Sequence, residues 1–224
     1  MPGASRDDQG ASEGLAVPRH GRFITFEGID GAGKSSALKS VAAALRDQGL
    51  NVVTTREPGG SPGAEQIRRL LVEGEPGRWS ALTETLLFTA ARRDHWERTI
   101  APALDRGAVV LCDRFVDSTR AYQAAGRGIS AETVERLHTE ALGIEADLTL
   151  IFDLDPALAR ARGGAGTEDR FERFDDGFHT RLRQSFLEIA ERNPKRCRVI
   201  DASPEPHRVA AACLAAVRAL LETA

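Results

Sequence analysis

The sequence predicts an α/β domain: a five-stranded parallel sheet with helices on both faces, a three-layer sandwich. Three observations carry that expectation. Five short stretches, Phe23–Glu27, Val52–Thr55, Val109–Cys112, Leu148–Phe152 and Arg198–Ile200, are continuous apolar runs more than alternating ones, the pattern of strands buried on both sides. Each is separated from the next by a helix-length segment, so neighbouring strands are joined by crossovers and run parallel. A glycine-rich turn follows the first run directly and opens the first helix.

Taken in order, residues 1–21 are rich in Gly, Ser, Ala, Asp and Arg without apolar periodicity, and are expected to form a disordered leader outside the fold. Residues 22–224 read as a single domain. The first helix stops at Gly49. Ser61-Pro62 pairs an N-cap with a proline at the first helical position, and Ser203-Pro204 suggests the same start for the last helix. A long helix is expected from about Leu82 to Arg106, stopped by Gly107, with a kink or break at Pro102. Ser130 caps a helix to about Glu140, and Asp155-Pro156 reads as a helix start. The stretch 163–167 (Gly-Gly-Ala-Gly-Thr) predicts a mobile loop between two helices.

The 224 residues carry 30 Lys+Arg against 33 Asp+Glu, a formal charge of −3, which gives no overall basic field and disfavours nucleic acid as the main partner. No apolar run approaches a bilayer span and no secretory signal is visible, so a cytoplasmic protein without membrane attachment is expected. Cys112, Cys197 and Cys213 form no C-x-x-C pair and read as reduced packing residues. The basic residues comprise 27 Arg and only Lys34, Lys39 and Lys195, so a lysine within a motif is more informative than an arginine.

The strongest motif is Gly28-Ile29-Asp30-Gly31-Ala32-Gly33-Lys34-Ser35, which matches G-x-x-x-x-G-K-S/T between a strand and a helix. Its glycines let the backbone curl around phosphate oxygens, the helix N-terminus adds positive potential, Lys34 reaches the outer phosphates and Ser35 offers a hydroxyl to Mg²⁺. A P-loop NTPase that binds ATP or GTP is the expected class. At the end of the third run, Asp113 and Arg114 stand at the edge where parallel sheets bind ligands; Asp113 could hold Mg²⁺ through water and Arg114 a phosphate, or the two could form a strand-end salt bridge.

Together with Thr55-Arg56-Glu57-Pro58-Gly59-Gly60, Leu86-Leu87-Phe88-Thr89-Ala90-Ala91-Arg92, Asp113-Arg114-Phe115 and Ser118-Thr119-Arg120-Ala121-Tyr122-Gln123, the motif resembles the thymidylate kinase family over nearly all of 22–224. The resemblance implies transfer of the ATP γ-phosphoryl group to dTMP, giving dTDP, with Mg²⁺ and in a homodimer. It implies that 28–36 (including Ser36) and Arg162 hold ATP, with Arg162 over the adenine and the turn 201–203 at the base edge. Asp30 would meet the sugar 3′-hydroxyl, Phe88 would stack on thymine, and Arg92, one helical turn on, would bond a base carbonyl. Arg56 and Arg114 would neutralise the monophosphate, Tyr122 would exclude a 2′-hydroxyl, and Ser118 and Gln123 would line the same pocket. A lid at about 163–173 would close over ATP. Because position 31 is glycine, where another subtype carries a P-loop arginine, Arg170 or Arg173 of that lid would face the transferred group, with Arg170 first choice as a catalytic cation.

Two rivals follow from the same residues. Another deoxynucleoside or nucleoside-monophosphate kinase would share the P-loop, Asp113-Arg114 and a lid. A nucleotide switch protein would need an N-K-x-D segment or an early P-loop lysine, and the sequence has neither.

Overall fold

The computed structural model describes residues 21–75, 77–162 and 176–223. Five parallel strands, β1 (Arg22–Gly28), β2 (Val52–Arg56), β3 (Val109–Asp113), β4 (Leu148–Asp153) and β5 (Cys197–Asp201), pair in the order β2-β3-β1-β4-β5. The chain leaves β1 for the sheet edge, returns to β3 beside it, and then crosses to β4 on its other side. β1 therefore sits at the switch point, where crossovers diverge and leave a crevice at the strand ends.

Alternate residues of β1 face opposite layers, as the pleat requires. Ile24 and Phe26 join the cluster formed with α1 (Lys34–Asp47) and α9 (Pro206–Glu222), through Val41, Leu45, Cys213 and Val217. In α1, Ala37, Leu38, Val41, Ala42 and Leu45 form the buried stripe. The helix ends where Gly49, at φ +81°, lets Leu50 N–H reach Leu45 O at 3.2 Å. Phe23 faces the other layer, where it packs with Val110, Cys112, Ile100, Ala103 and Phe115.

Ser61 caps α2 (Pro62–Val72) and Ser130 caps α6 (Ala131–Ala141), as expected from their sequences. The long helix is α3 (Ala81–His95), and the expected break is a π-helical turn, Trp96–Ile100, leading into α4 (Ala101–Asp105). Pro102 has no N–H for the Arg98 carbonyl and its ring crowds that turn, so the backbone widens just before it. Ala101 N–H bonds Trp96 O, five residues back.

One expected start is wrong. Asp201 Oδ1 accepts Ser203 N–H at 2.9 Å, which folds 201–203 into a side-chain-closed turn, and α9 begins two residues later than Ser203-Pro204 suggests, with Glu205 as N-cap. Asp155 does start α7 (Pro156–Arg162), its Oδ1 accepting Ala157 N–H at 2.8 Å.

After β3 the chain forms α5 (Val116–Thr119) and a π-helical segment, Arg120–Gly126, packed against α8 (Asp176–Arg192). Buried Asp117 anchors this unit: Arg196 grips its two oxygens at 2.6 and 3.0 Å, and Arg120 bonds it at 2.9 Å. The residues carried by α5 and the π segment are thereby fixed relative to β4 and β5.

Candidate active site

The turn after β1 has the curled backbone that its glycines permit. Gly28, Gly31 and Gly33 have φ of +133°, +77° and +88°. At Gly31 the need is also steric, since a Cβ there would run into the Ala159 carbonyl of α7. Lys34, 6% exposed, donates to Ile29 O at 2.8 Å and lies 3.9 Å from Asp30 Oδ1. Burial, aided by the nearby Arg114 charge, brings its ammonium down to about 8 despite the Asp30, Asp113 and Glu27 carboxylates. Ser35 Oγ donates to Asp113 Oδ2, joining the start of α1 to the end of β3. Mg²⁺ favours such hard oxygen groups and usually completes its shell with phosphate and water, so one hydroxyl and one carboxylate suit it.

An open cleft above this turn is lined by 30–37, Ser40, Arg56, Asp113, Arg114, Arg162, Ala202, 204–207 and Val209. Arg162 donates to Ala202 O at 2.6 Å and Ser203 O at 2.7 Å, so it pins the turn named from sequence and forms the cleft's far end. Arg56 faces the cleft, half exposed, with its Nη2 3.1 Å from both Glu65 oxygens. Arg68 of α2 lines the same cleft and donates to Pro58 O at 2.7 Å. Sequence reasoning missed it among 27 arginines; its position on α2 beneath the Pro58 turn is a tertiary fact.

A second, more apolar pocket lies on the other side of one shared wall, made by Asp30, Glu57, Pro58 and Arg114. Phe88, Arg92, Ser118, Tyr122 and Gln123 line it, all of them residues expected from sequence. Arg114 holds the wall together. It donates to Gly28 O (3.0 Å), Ser118 Oγ (2.9 Å), Asp30 Oδ1 (2.5 Å) and Tyr122 Oη (3.1 Å), and Tyr122 donates to Asp30 Oδ2 at 2.8 Å. Its partner is thus Asp30, and the strand-end pair with Asp113 is absent among the described residues. Arg114 has φ +72°, the one positive value of a non-glycine among those residues, a left-handed conformation held by its N–H to Phe26 O at 3.0 Å.

The electrostatics follow from this packing. Burial would raise the Asp30 carboxyl, but the Arg114 and Lys34 cations outweigh it and hold the group well below the usual carboxylate range. Glu27, beneath the wall, is pushed up to about 7 by burial and by the Asp117 charge, although Ser118 Oγ and Phe115 N–H both donate to it, at 2.6 and 2.7 Å.

Arg92, 4% exposed, is held from three sides: Nε to Glu57 Oε2 at 2.7 Å, and Nη2 to Phe115 O at 3.2 Å and Thr119 Oγ1 at 2.9 Å. Its Nη1 has no bond among the described residues. Glu57 also bonds His95 Nδ1 (3.1 Å), whose Nε2 meets Thr55 Oγ1 (2.6 Å), so a buried chain ties β2 to α3 behind the pocket. The lid at 163–173, with Arg170 and Arg173, lies outside the described residues, as do residues 1–20 of the leader.

Comparison with known proteins identifies the family. A family model described as thymidylate kinase matches residues 26–212. Thymidylate kinase of Ruegeria pomeroyi is 56% identical over 85% of this chain and 92% of its own length, and that of Caulobacter vibrioides 55% identical over 86% and 93%. The crystal structure of thymidylate kinase from Ehrlichia chaffeensis superimposes with a TM-score of 0.74 at 34% identity, covering 88% of this chain and 99% of that one.

Proposed function

The chain belongs to the thymidylate kinase family and transfers the ATP γ-phosphoryl group to dTMP, giving dTDP, and we propose that Asp30, Lys34 and Arg114 align the transfer while Phe88, Arg92, Tyr122 and Gln123 choose the acceptor. The observation that supports this division is the shared wall of Asp30 and Arg114 between the P-loop cleft and the second pocket. ATP in the cleft and dTMP in the pocket then meet at Arg114, and positioning supplies most of the catalysis in phosphoryl transfer.

In this reading the turn 28–36 cradles the ATP phosphates and Lys34 reaches the outermost. Arg162 lies against the adenine. Ser35 and Asp113 would hold Mg²⁺, which when bound neutralises charge on the transferring phosphates. On the acceptor side Phe88 stacks on thymine, Arg92 donates to a base carbonyl, and Tyr122 closes the space beside C2′. Arg56 and Arg114, with Arg68 beside them, neutralise the monophosphate, while Asp30 takes the 3′-hydroxyl and Ser118 keeps Arg114 in place. With glycine at position 31, Arg170 of the lid is our choice for the further cation at the transferring group.

The same reading includes a homodimer in the cytoplasm. Leu82 and Leu86, each 47% exposed, stand one turn apart on α3 with Leu70 of α2 at 39%, an apolar stripe that a second copy would cover.

The test is a coupled ATP-consumption assay across dTMP, dUMP, dCMP, dGMP and UMP with wild type and Arg114→Ala. We expect dTMP to be best, dUMP weaker for want of one methyl, and the variant to lose on the order of 10²-fold in rate together with dTMP affinity. Unchanged dTMP binding by calorimetry in Arg114→Ala would leave Arg114 a structural role only.

A further inference from the structure

Glu84 is a fully buried acid in the first turns of α3 that the division of labour above does not use. Its Oε1 accepts Gln123 Nε2–H at 3.2 Å, and Gln123 is itself 1% exposed. A carboxylate only accepts, so the amide nitrogen of Gln123 must turn toward Glu84 and its Oε1 away from it. Gln123 lines the acceptor pocket, and the bond to Glu84 uses its nitrogen and leaves Oε1 to the pocket side.

Glu84, Phe88 and Arg92 occupy i, i+4 and i+8 of α3, one face of the helix. Arg92 bonds Thr119, and Gln123 follows Thr119 by one turn, so guanidinium and amide are neighbouring groups on the pocket that Phe88 also lines. Arg92 can only donate. The pocket thus offers adjacent groups of opposite kind, a donor at Arg92 and an acceptor at Gln123. A base with a carbonyl next to a ring N–H, as thymine has at O4 and N3, matches both. Cytosine presents an amino group and a bare ring nitrogen there and opposes both.

We propose that Glu84 is a positioning residue for base selection: by fixing the orientation of the Gln123 amide it makes the pocket accept a ring N–H and reject cytosine. This rests on the acceptor-pocket reading above. Phe88 supplies stacking to any pyrimidine, so the choice between thymine and cytosine lies in the polarity of these two groups.

The experiment measures kcat/KM for dTMP and dCMP in wild type, Glu84→Gln, Gln123→Ala and the swap Glu84→Gln with Gln123→Glu. In Glu84→Gln an amide faces an amide, Gln123 turns over freely, and the dTMP-to-dCMP ratio should fall by about tenfold or more with little change in melting temperature. The swap keeps the hydrogen bond and the charge but puts an acceptor-only group on the pocket, so the ratio should recover toward wild type. A merely structural role predicts that the ratio follows neither change. If Gln123→Ala lowers the ratio and Glu84→Gln does not, Gln123 reads the base without Glu84, and this proposal is overturned while the pocket reading stands. If neither moves it, the pocket reading falls as well. Should Glu84→Gln fail to fold, the swap decides alone, and poor discrimination by it overturns the proposal.

Discussion

Raising the pH from 7 to 9 should make ATP binding take up a proton at Lys34. In the free site burial and the Arg114 charge bring this lysine to about 8, against 10.5 for the group in water. Folding therefore leaves it less protonated than the unfolded chain between those two values. The penalty is fully present below pH 8 and vanishes as pH rises through 10.5, and at 1.36 kcal/mol per tenfold it comes to about 3 kcal/mol. Phosphate oxygens beside the ammonium remove that penalty and return the pKa to its ordinary range or above. ATP should then take up about 0.1 proton at pH 7, about half a proton at pH 8 and about 0.9 at pH 9, with affinity falling about fivefold from pH 8 to 9. The terminal phosphate loses its own last proton near pH 6, so its release of about 0.1 proton cancels the uptake at pH 7 and contributes little from pH 8 to 9, where the test is read. Titration calorimetry in two buffers of different ionisation enthalpy reads the uptake directly. Equal enthalpies in both buffers at pH 8 to 9, or an uptake that persists in Lys34→Met, would refute the argument.

Other sites give equally direct expectations. Gly31→Ala should lower the melting temperature and weaken ATP binding, because its Cβ meets the Ala159 backbone and α7 must move away from the P-loop; a variant as stable as wild type would show that α7 yields freely. Tyr122→Phe keeps the ring but removes the hydroxyl between Asp30 and Arg114, so dTMP binding should weaken by about 1 kcal/mol with the deoxy-to-ribo preference intact. Tyr122→Ala should lower that preference toward ribosyl-thymine monophosphate, and an unchanged ratio would remove Tyr122 as the sugar gate. Leu86→Glu places a charge on the exposed stripe of α3; under the proposed homodimer, sedimentation should give a dimer for wild type and a monomer for the variant, and a variant as dimeric as wild type would move the interface elsewhere.

Local chemistry made the skeleton readable from sequence. Apolar runs between helix-length segments marked five strands, Ser61 and Ser130 marked two helix starts, and Gly28 to Ser35 named a phosphate site, because each depends on residues within a turn of one another. The end of the third apolar run pointed to Arg114, family resemblance added roles for Asp30, Phe88, Arg92 and Tyr122, and the fold gathers all five on one pocket. Their partners were a different matter. That Arg114 binds Asp30 and not Asp113, that Arg68 reaches the cleft, and that Glu57 and Glu84 stand behind Arg92 and Gln123 involve pairs 10 to 84 residues apart. Sequence periodicity reports only which face of its own element a side chain occupies. Which distant group meets it across a buried wall depends on strand order and helix packing, and so only the tertiary structure decided it.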